Sequence, residues 1–278
     1  MGAGLMHPHS EPRARGFTLI ELIIVILLIG ILAGVLVTIL RGPVLASIDI
    51  RQRAELVDIA ETALQRMTRE IRLALPNSLR VSGNSIEFLR TIDGGRYRSE
   101  PPPGNLWLRF NDSAQGVDGE FEVLGGLLRP NTPARCGTDC LLVIYNTGQP
   151  GANAYDGDNT ANIQGFGSSP TTIDFLRPSG TGFPFESPQQ RFQIIDTPVS
   201  FICDLGAGEV NRFDSYGVNA APASGNSSLL IDQVTDCNFT YLAGSATRAG
   251  LVTMRLEITG DNGQTISLMQ QAHVDNQP

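Results

Sequence analysis

The chain has 278 residues, of which 41% are hydrophobic and 17% charged, and its formal net charge is −8 at pH 7. This acidic balance argues against nucleic acid as a partner, because phosphate binding requires clustered basic side chains. All 20 basic residues are arginines, so chemistry that needs lysine, such as a phosphate-binding P-loop or Schiff-base catalysis, is excluded.

Histidine is scarcer still, since His7 and His9 lie within the first 16 residues and only His273 lies beyond them. A Ser-His-Asp triad or a histidine-rich metal site would therefore depend on His273 alone. We expect a protein that is not an enzyme and that holds no cofactor and no metal.

Residues 1–16 precede a long apolar run and carry Arg13 and Arg15 against Glu11. A basic segment before a membrane helix stays in the cytoplasm, so we expect the rest of the chain to be exported. The sequence leaves open whether translation starts at Met1 or at Met6.

Residues 17–41 form the membrane-spanning half of a predicted long helix. From Phe17 to Leu40 there are 24 residues, and Glu21 is the only ionisable one. A helix of that length measures about 36 Å and can cross a hydrocarbon core of about 30 Å with some tilt. The small residues Gly30, Ala33 and Gly34 would let other helices pack closely against it. An ordinary signal anchor is the alternative interpretation of the apolar run taken alone.

Glu21 distinguishes this segment from an ordinary anchor. A carboxylate in the middle of a bilayer costs about 2.5–3.5 kcal/mol, less near an end, and so indicates a functional site with a partner. A cut between Gly16 and Phe17 would create an α-amino group one helical turn from Glu21, in the same chain or in a staggered neighbour. That amine is the natural partner of the carboxylate.

The stretch Gly16-Phe17-Thr18-Leu19-Ile20-Glu21-Leu22 resembles the processing site of type IV prepilins at every position. The resemblance implies that a prepilin peptidase removes residues 1–16 as a cytoplasmic leader and methylates the new amine of Phe17. It also implies that Glu21 guides the register of subunits during polymerisation. The implied partners are that peptidase, the major pilin and other minor pilins, the inner-membrane assembly platform, and lipid around residues 17–40. The implied location is the bacterial inner membrane with the head in the periplasm, and later the pilus at the cell surface.

Residues 42–76 continue as an amphipathic helix half, after a kink or interruption predicted at Gly42-Pro43. Apolar residues recur every three or four positions, which predicts a stripe that covers a core. Pro76-Asn77 is expected to end the helix. The predicted stripe comprises Leu45, Ile48, Leu56, Ile59, Ala60, Ala63, Leu64, Met67, Ile71 and Leu75.

Residues 77–278 change to a period of two, which predicts a head of short antiparallel strands. With the long helix packed on it, this gives an α+β fold of pilin-like layout. Turns are expected at 82–85, 93–95 and 260–263, and a long loop is expected over 146–170. In that loop Asp156-Gly157-Asp158-Asn159 resembles a fragment of a calcium-binding loop, but we interpret these four as turn residues. The predicted strands are 79–81, 86–90, 106–110, 121–124, 141–145, 172–176, 191–203 with a bend or a sheet edge at Pro198, 212–218, 229–234, 238–242, 251–258 and 265–274.

Four cysteines, Cys136, Cys140, Cys203 and Cys237, all lie on the predicted exported side. An even number in an oxidising compartment indicates two disulfides. Cys136 and Cys140 can close a tight local loop, and Cys203 with Cys237 would close one of about 35 residues. Other pairings remain open, and a zinc site is the weaker alternative because the spacing is poor and histidine ligands are missing.

Four further stretches of the sequence resemble the MshO type of minor pilin from the mannose-sensitive haemagglutinin (MSHA) pilus. They are residues 74–78, 94–98, 197–204 and 271–276. The resemblance implies a minor pilin, or pseudopilin, that acts in pilus assembly or initiation, at or near the tip. One alternative is a pseudopilin of a type II secretion or DNA-uptake system. Another is a membrane-anchored enzyme or adhesin with a sugar site lined by Tyr97, Trp107, Tyr145 and Tyr155.

Overall fold

The computed structural model describes residues 16–100, 106–110, 118–136, 139–178, 180–244 and 248–277. The predicted leader lies outside these residues except for Gly16. The described chain divides into two compact units, with the division between Gln52 and Arg53. The second unit contains the β-rich head.

Helix α1 runs from Leu19 to Ile71, a length of 53 residues. Of the kink or interruption predicted at Gly42-Pro43, the interruption is wrong, since the helix continues through Pro43. A proline removes one intrahelical N–H donor, but the other hydrogen bonds of this 53-residue helix remain.

The helix ends before the predicted Pro76-Asn77 because the following backbone bonds to a strand instead. The Thr91 N–H donates to the Leu73 carbonyl at 2.7 Å, and the Leu75 N–H donates to the Leu89 carbonyl, also at 2.7 Å. These bonds compete with a further helical turn and fix residues 73–75 against the sheet.

Antiparallel strands make up most of the head, which confirms the predicted α+β class. The elements after α1 are β1 (Arg80–Ser82), β2 (Ser85–Tyr97), β3 (Asp118–Leu124), α2 (Thr132–Cys136), β4 (Leu141–Ile144), β5 (Thr160–Ser168), β6 (Thr171–Leu176), β7 (Arg191–Asp204), β8 (Glu209–Asp214), a 3₁₀ turn (Pro222–Ser224), β9 (Asn226–Ile231), β10 (Val234–Leu242), β11 (Gly250–Thr259) and β12 (Thr265–Val274).

Six strands of the larger sheet close into a ring, in the order β2-β3-β6-β5-β4-β7 and back to β2. We call this ring the barrel. Its interior is filled by aromatic and aliphatic side chains, among them Tyr97, Phe121, Phe175 and Phe192. Closure leaves these strands without free edges between them, which protects the head against edge-to-edge association.

Strands β1, β8 and β9 extend the larger sheet beyond β2 and β7. Their side chains form a second core together with side chains of the three-stranded sheet β10-β11-β12. The stripe of α1 enters this core from Leu56 to Ile71, but Ile48 and Ile59 are exposed, contrary to the prediction. Strand β11 buries Val252, Met254, Leu256 and Ile258 and turns the alternate residues outwards, as the sequence pattern predicts.

Strands β2 and β7 are long enough, at 13 and 14 residues, to take part in both cores. Pro198 lies inside this pair and not at an edge, because β7 pairs with β2 on one side and with β4 and then β8 on the other. It falls between the β4-paired positions 192–195 and the β8-paired positions 200–204. Its missing N–H therefore costs no ladder hydrogen bond on that side.

Several local predictions are wrong for nonlocal reasons. Residues 93–95 lie inside β2 and form no turn, because β7 pairs with them directly. Residues 106–110 form no strand, although two backbone hydrogen bonds tie them to Arg98 and Glu122. The predicted loop 146–170 contains β5, which pairs with both β4 and β6, and the strand predicted at 212–218 lies at 209–214.

Candidate functional site

The candidate processing and assembly site is the start of α1. Thr18 immediately precedes the helix, and its hydroxyl oxygen accepts a hydrogen bond from the Glu21 backbone N–H at 3.3 Å. Its carbonyl accepts the first helical bond, from the Leu22 N–H at 3.2 Å. Thr18 is thus the N-cap residue and Glu21 occupies the third helical position, the spacing of a capping box.

This arrangement places a carboxylate in the first turn, where the unsatisfied N–H groups of the helix favour negative charge. Phe17 directly precedes the cap and its side chain is 80% exposed. An amine created by cleavage after Gly16 would belong to Phe17 and would lie one turn from Glu21. The structure therefore brings Gly16, Phe17 and Glu21 together at an accessible helix end.

The apolar half of α1 is exposed along its whole length. Every large hydrophobic side chain from Phe17 to Leu40 has at least 43% of its surface accessible. Between Leu19 and Leu40 the one hydroxyl is that of Thr38, which donates to the Val35 carbonyl at 2.8 Å and so is satisfied within the helix. By length and composition α1 is able to span a bilayer, and among the described residues it is the one such helix.

The four cysteines lie in the head and form two disulfides. Cys136 pairs with Cys140, with Cα atoms 5.1 Å apart, and Cys203 pairs with Cys237 at 6.6 Å. The first closes the end of α2 beside the barrel core, and the second links β7 to β10 in the second core. The pairing is the one that spacing favours, and both disulfides are buried.

The candidate calcium residues act within their own loop. Asp158 accepts a hydrogen bond from the Gly151 N–H at 2.7 Å, and Asp156 accepts one from the Asn153 side-chain amide at 2.6 Å. Among the described residues no group of three or more His, Cys, Asp or Glu side chains could hold a metal ion. The turn interpretation accounts for these carboxylates.

The four aromatic residues considered for a sugar site do not form one surface. Tyr97 is fully buried in the barrel core, and Tyr155 is 4% exposed in a separate small cluster with Leu75 and Ala154. Trp107 and Tyr145 are only partly exposed, and the Arg109 guanidinium stacks on the Trp107 ring at 4.9 Å. These contacts are those of packing side chains.

Sequence reasoning missed two polar clusters that organise the head. Asp93 is 4% exposed, and its carboxylate accepts hydrogen bonds from the backbone N–H groups of Gly94, Leu128 and Arg129 and from the Thr132 hydroxyl. It anchors the segment leading into α2. The Asp-Gly-Gly triplet at 93–95 is typical of turns, so the sequence carries no local signal for this role.

The second cluster joins α1 to β8 through Arg212, whose Nε donates to Glu70 at 2.7 Å and whose Nη1 donates to Asp214 at 2.5 Å. Burial alone would raise the pKa of Asp214, but the hydrogen bonds and charge of Arg212 outweigh it and hold that pKa below its ordinary value. Glu70 is 142 residues from Arg212 in the sequence, and Asp214 is 2 residues from it. No local sequence pattern can therefore predict the ion pair between Arg212 and Glu70.

Comparison with protein families found that residues 12–37 match the family described as the prokaryotic N-terminal methylation motif. Comparisons with curated proteins and with solved structures found no significant match. The matched segment contains Gly16, Phe17, Thr18 and Glu21, the residues that form the exposed start of α1. The chain therefore carries a type IV pilin-like N-terminal methylation signal.

Proposed function

We propose that this protein is a minor pilin, or pseudopilin, that is cleaved between Gly16 and Phe17, methylated on Phe17 and built into a filament through α1. The observation that carries the proposal is the methylation motif over residues 12–37, which includes the start of α1 and most of its exposed apolar part. The function is assembly and involves no catalysis by the head.

The mechanism follows from the physical chemistry of α1. Before assembly, the bilayer covers the apolar surface of residues 17–40. In the filament, helices of other subunits replace the lipid, and Gly30, Ala33 and Gly34 allow their backbones to approach closely. The carboxylate of Glu21 pairs with the Phe17 amine of a neighbouring subunit, which sets the axial register between them.

The finer proposal is a minor pilin of an MSHA-type pilus, acting in assembly or initiation at or near the tip. It is supported by the resemblance of residues 74–78, 94–98, 197–204 and 271–276 to the MshO type of minor pilin. Two of these stretches contact each other in the head, where the Asn77 side-chain amide donates to the Asn276 carbonyl at 3.4 Å. The proposed partners are the prepilin peptidase, the major pilin, other minor pilins and the inner-membrane assembly platform.

The decisive experiment is intact-mass analysis of the protein from its native membrane, with and without the prepilin peptidase. We expect a mature species that begins at methylated Phe17 only when the peptidase is present. An uncut chain under both conditions would overturn the proposal and leave α1 as a signal anchor.

The proposed chemistry of α1 is the same for a pilus subunit and for a subunit of a secretion system, so processing alone does not distinguish them. Deletion of the gene does. Loss of surface filaments with normal protein secretion is the expected result. Normal filaments with a secretion defect would favour the pseudopilin of a type II secretion system instead.

A further inference from the structure

A basic cavity lies on the outer surface of the barrel, beside the segment that follows α1. Its volume is about 510 Å³, within the range of small-ligand sites. Four arginines, Arg72, Arg96, Arg129 and Arg191, line it, in a chain whose net charge is −8. We call this feature the arginine cavity.

Two of these arginines face each other directly. Arg96 of β2 and Arg191 of β7 are register partners in the antiparallel pair, which places two positive side chains on the same sheet face. Like charges directly opposite each other destabilise a sheet. The adjacent inward-facing residues, Tyr97 and Phe192, are buried in the barrel core, so the arginines point outwards into the cavity.

No acidic side chain compensates this pair. Within the part of the chain that the structure describes, the guanidinium groups of Arg72, Arg96 and Arg191 form neither an ion pair nor a hydrogen bond. Asp93 lines the cavity, but its carboxylate is already occupied by four donors from the protein. Asp275, in the C-terminal tail, is the other acidic lining residue.

The rest of the lining includes Thr91, Gln193 and Gly94. The hydroxyl oxygen of Thr91 and the amide oxygen of Gln193 are buried, so neither atom is exposed to a ligand in the cavity. At Gly94 the two strands approach closely, since a Cβ atom there would lie 2.9 Å from the Phe192 carbonyl oxygen. The arginine side chains are therefore the groups that would contact a ligand.

We propose that the arginine cavity binds a small ligand that bears a phosphate, sulfate or carboxylate group. The planar guanidinium groups of Arg96 and Arg191 hold the oxyanion, because their N–H donors match its geometry and its charge relieves their mutual repulsion. Arg72 and Arg129 flank it. The concave shape and the volume select a small molecule over a flat protein surface. This site is independent of the proposed filament function.

The test uses the full chain in detergent and isothermal titration calorimetry with sodium phosphate, sodium sulfate, acetate, glucuronate and glucose at matched ionic strength. We expect phosphate, sulfate and glucuronate to bind and glucose not to bind. Tighter binding of glucuronate than of acetate would show that the hydroxyl-bearing ring contributes as well as the oxyanion.

The double variant Arg96→Gln, Arg191→Gln removes the opposed charges, and we expect its affinity for phosphate to fall at least about tenfold. The ligand-free double variant should be as resistant to thermal unfolding as the parent, or more so, because a like-charge contact has been removed. The control Arg255→Gln removes one positive charge outside the cavity, on an exposed face of β11 where Arg255 pairs with Glu257 at 3.4 Å. It should bind as the parent does, whereas each of the single variants Arg96→Gln and Arg191→Gln, which also remove one charge, should bind more weakly. Absence of binding for all the anions, or unchanged binding in a folded double variant, would overturn the proposal.

Discussion

Glu21 combines a charge with a place in the first turn of α1, and these two roles are separable at the level of one residue. Its backbone N–H bonds to the Thr18 hydroxyl, and it occupies the third helical position, where Glu and Gln serve a capping box equally well. Only Glu can form an ion pair with a cleaved amine. Substitutions that keep one role and remove the other therefore identify which role assembly needs.

We expect Glu21→Gln and Glu21→Ala to be cleaved and methylated normally, and both to be incorporated into filaments at least about tenfold less than the parent. In the proposed mechanism, both variants lose the charge that pairs with the neighbouring amine. Quantitative immunoblotting of sheared filaments against total membrane protein measures this. If Glu21→Gln assembled like the parent while Glu21→Ala did not, capping would be the role of Glu21 and the ion-pair mechanism would fail.

At the scale of elements, the two disulfides stabilise very different lengths of chain. Cys136 and Cys140 are separated by 4 positions, whereas Cys203 and Cys237 are separated by 34 and join strands of two different sheets. In the chain-entropy account, a crosslink stabilises more when it closes a longer loop in the unfolded state. All four sulfurs belong to buried residues, so the two pairs are matched in burial.

We expect Cys203→Ala with Cys237→Ala to lower the free energy of unfolding by about 4 kcal/mol, and Cys136→Ala with Cys140→Ala to lower it by about 2 kcal/mol. Urea unfolding of the full chain in detergent, followed by near-UV circular dichroism, measures both. Each double alanine variant serves as the control for the other, since both lose two buried sulfurs. Equal losses would show that packing around the sulfurs matters more than loop length.

Local patterns predicted the elements whose pairing partners are close in sequence. The β11–β12 hairpin has an alternation of Met254, Leu256 and Ile258 that survives intact in the structure, because a short turn brings its partner strand alongside. The exposed start of α1 was equally predictable, since Thr18 and Glu21 act within a single helical turn.

The elements that were predicted wrongly depend on distant partners. Asp93 looks like a turn residue, yet residues 35 to 39 positions away supply three of its four hydrogen bonds. The pairing of β2 with β7, which closes the barrel, places Arg96 opposite Arg191, 95 positions along the chain, so no local window of sequence contains both. For the same reason the arginine cavity was not predicted.

At the scale of the whole molecule, buried tyrosines couple the stability of the head to alkaline pH. Burial raises the pKa of Tyr97 to about 12, with a smaller opposing contribution from its hydrogen bond to Ser187. Burial also raises the pKa of Tyr155 and Tyr216, and the nearby charge of Glu87 adds to both shifts. Because the folded pKa of each exceeds the unfolded value of about 10, their contribution to stability is complete below about pH 10. The contribution of Tyr97 is lost as the pH rises from about 10 to about 12, and the contributions of Tyr155 and Tyr216 continue to fall at higher pH.

We expect three of the five tyrosines to ionise in the same pH step in which the head loses its near-UV circular dichroism. Phenolate absorbance and circular dichroism, recorded on one sample during an alkaline titration, test this. The same titration in concentrated urea is the control, where all the phenols should ionise near pH 10. Complete ionisation of all five while the near-UV spectrum remains native would contradict the burial of Tyr97, Tyr155 and Tyr216.

Strands β2 and β7 give the head a particular response to mechanical tension. Both strands continue from the core that contains residues Leu56 to Ile71 of α1 into the barrel, and ten residue pairs join them. Their register shifts twice, between Leu89 and Thr91 and between Thr91 and Asp93, where one core meets the other. A pull that enters the head at Ile71 would be carried into the barrel by these two paired backbones. We expect it to extend the shifted positions first, because the ladder of hydrogen bonds is disrupted at such irregularities.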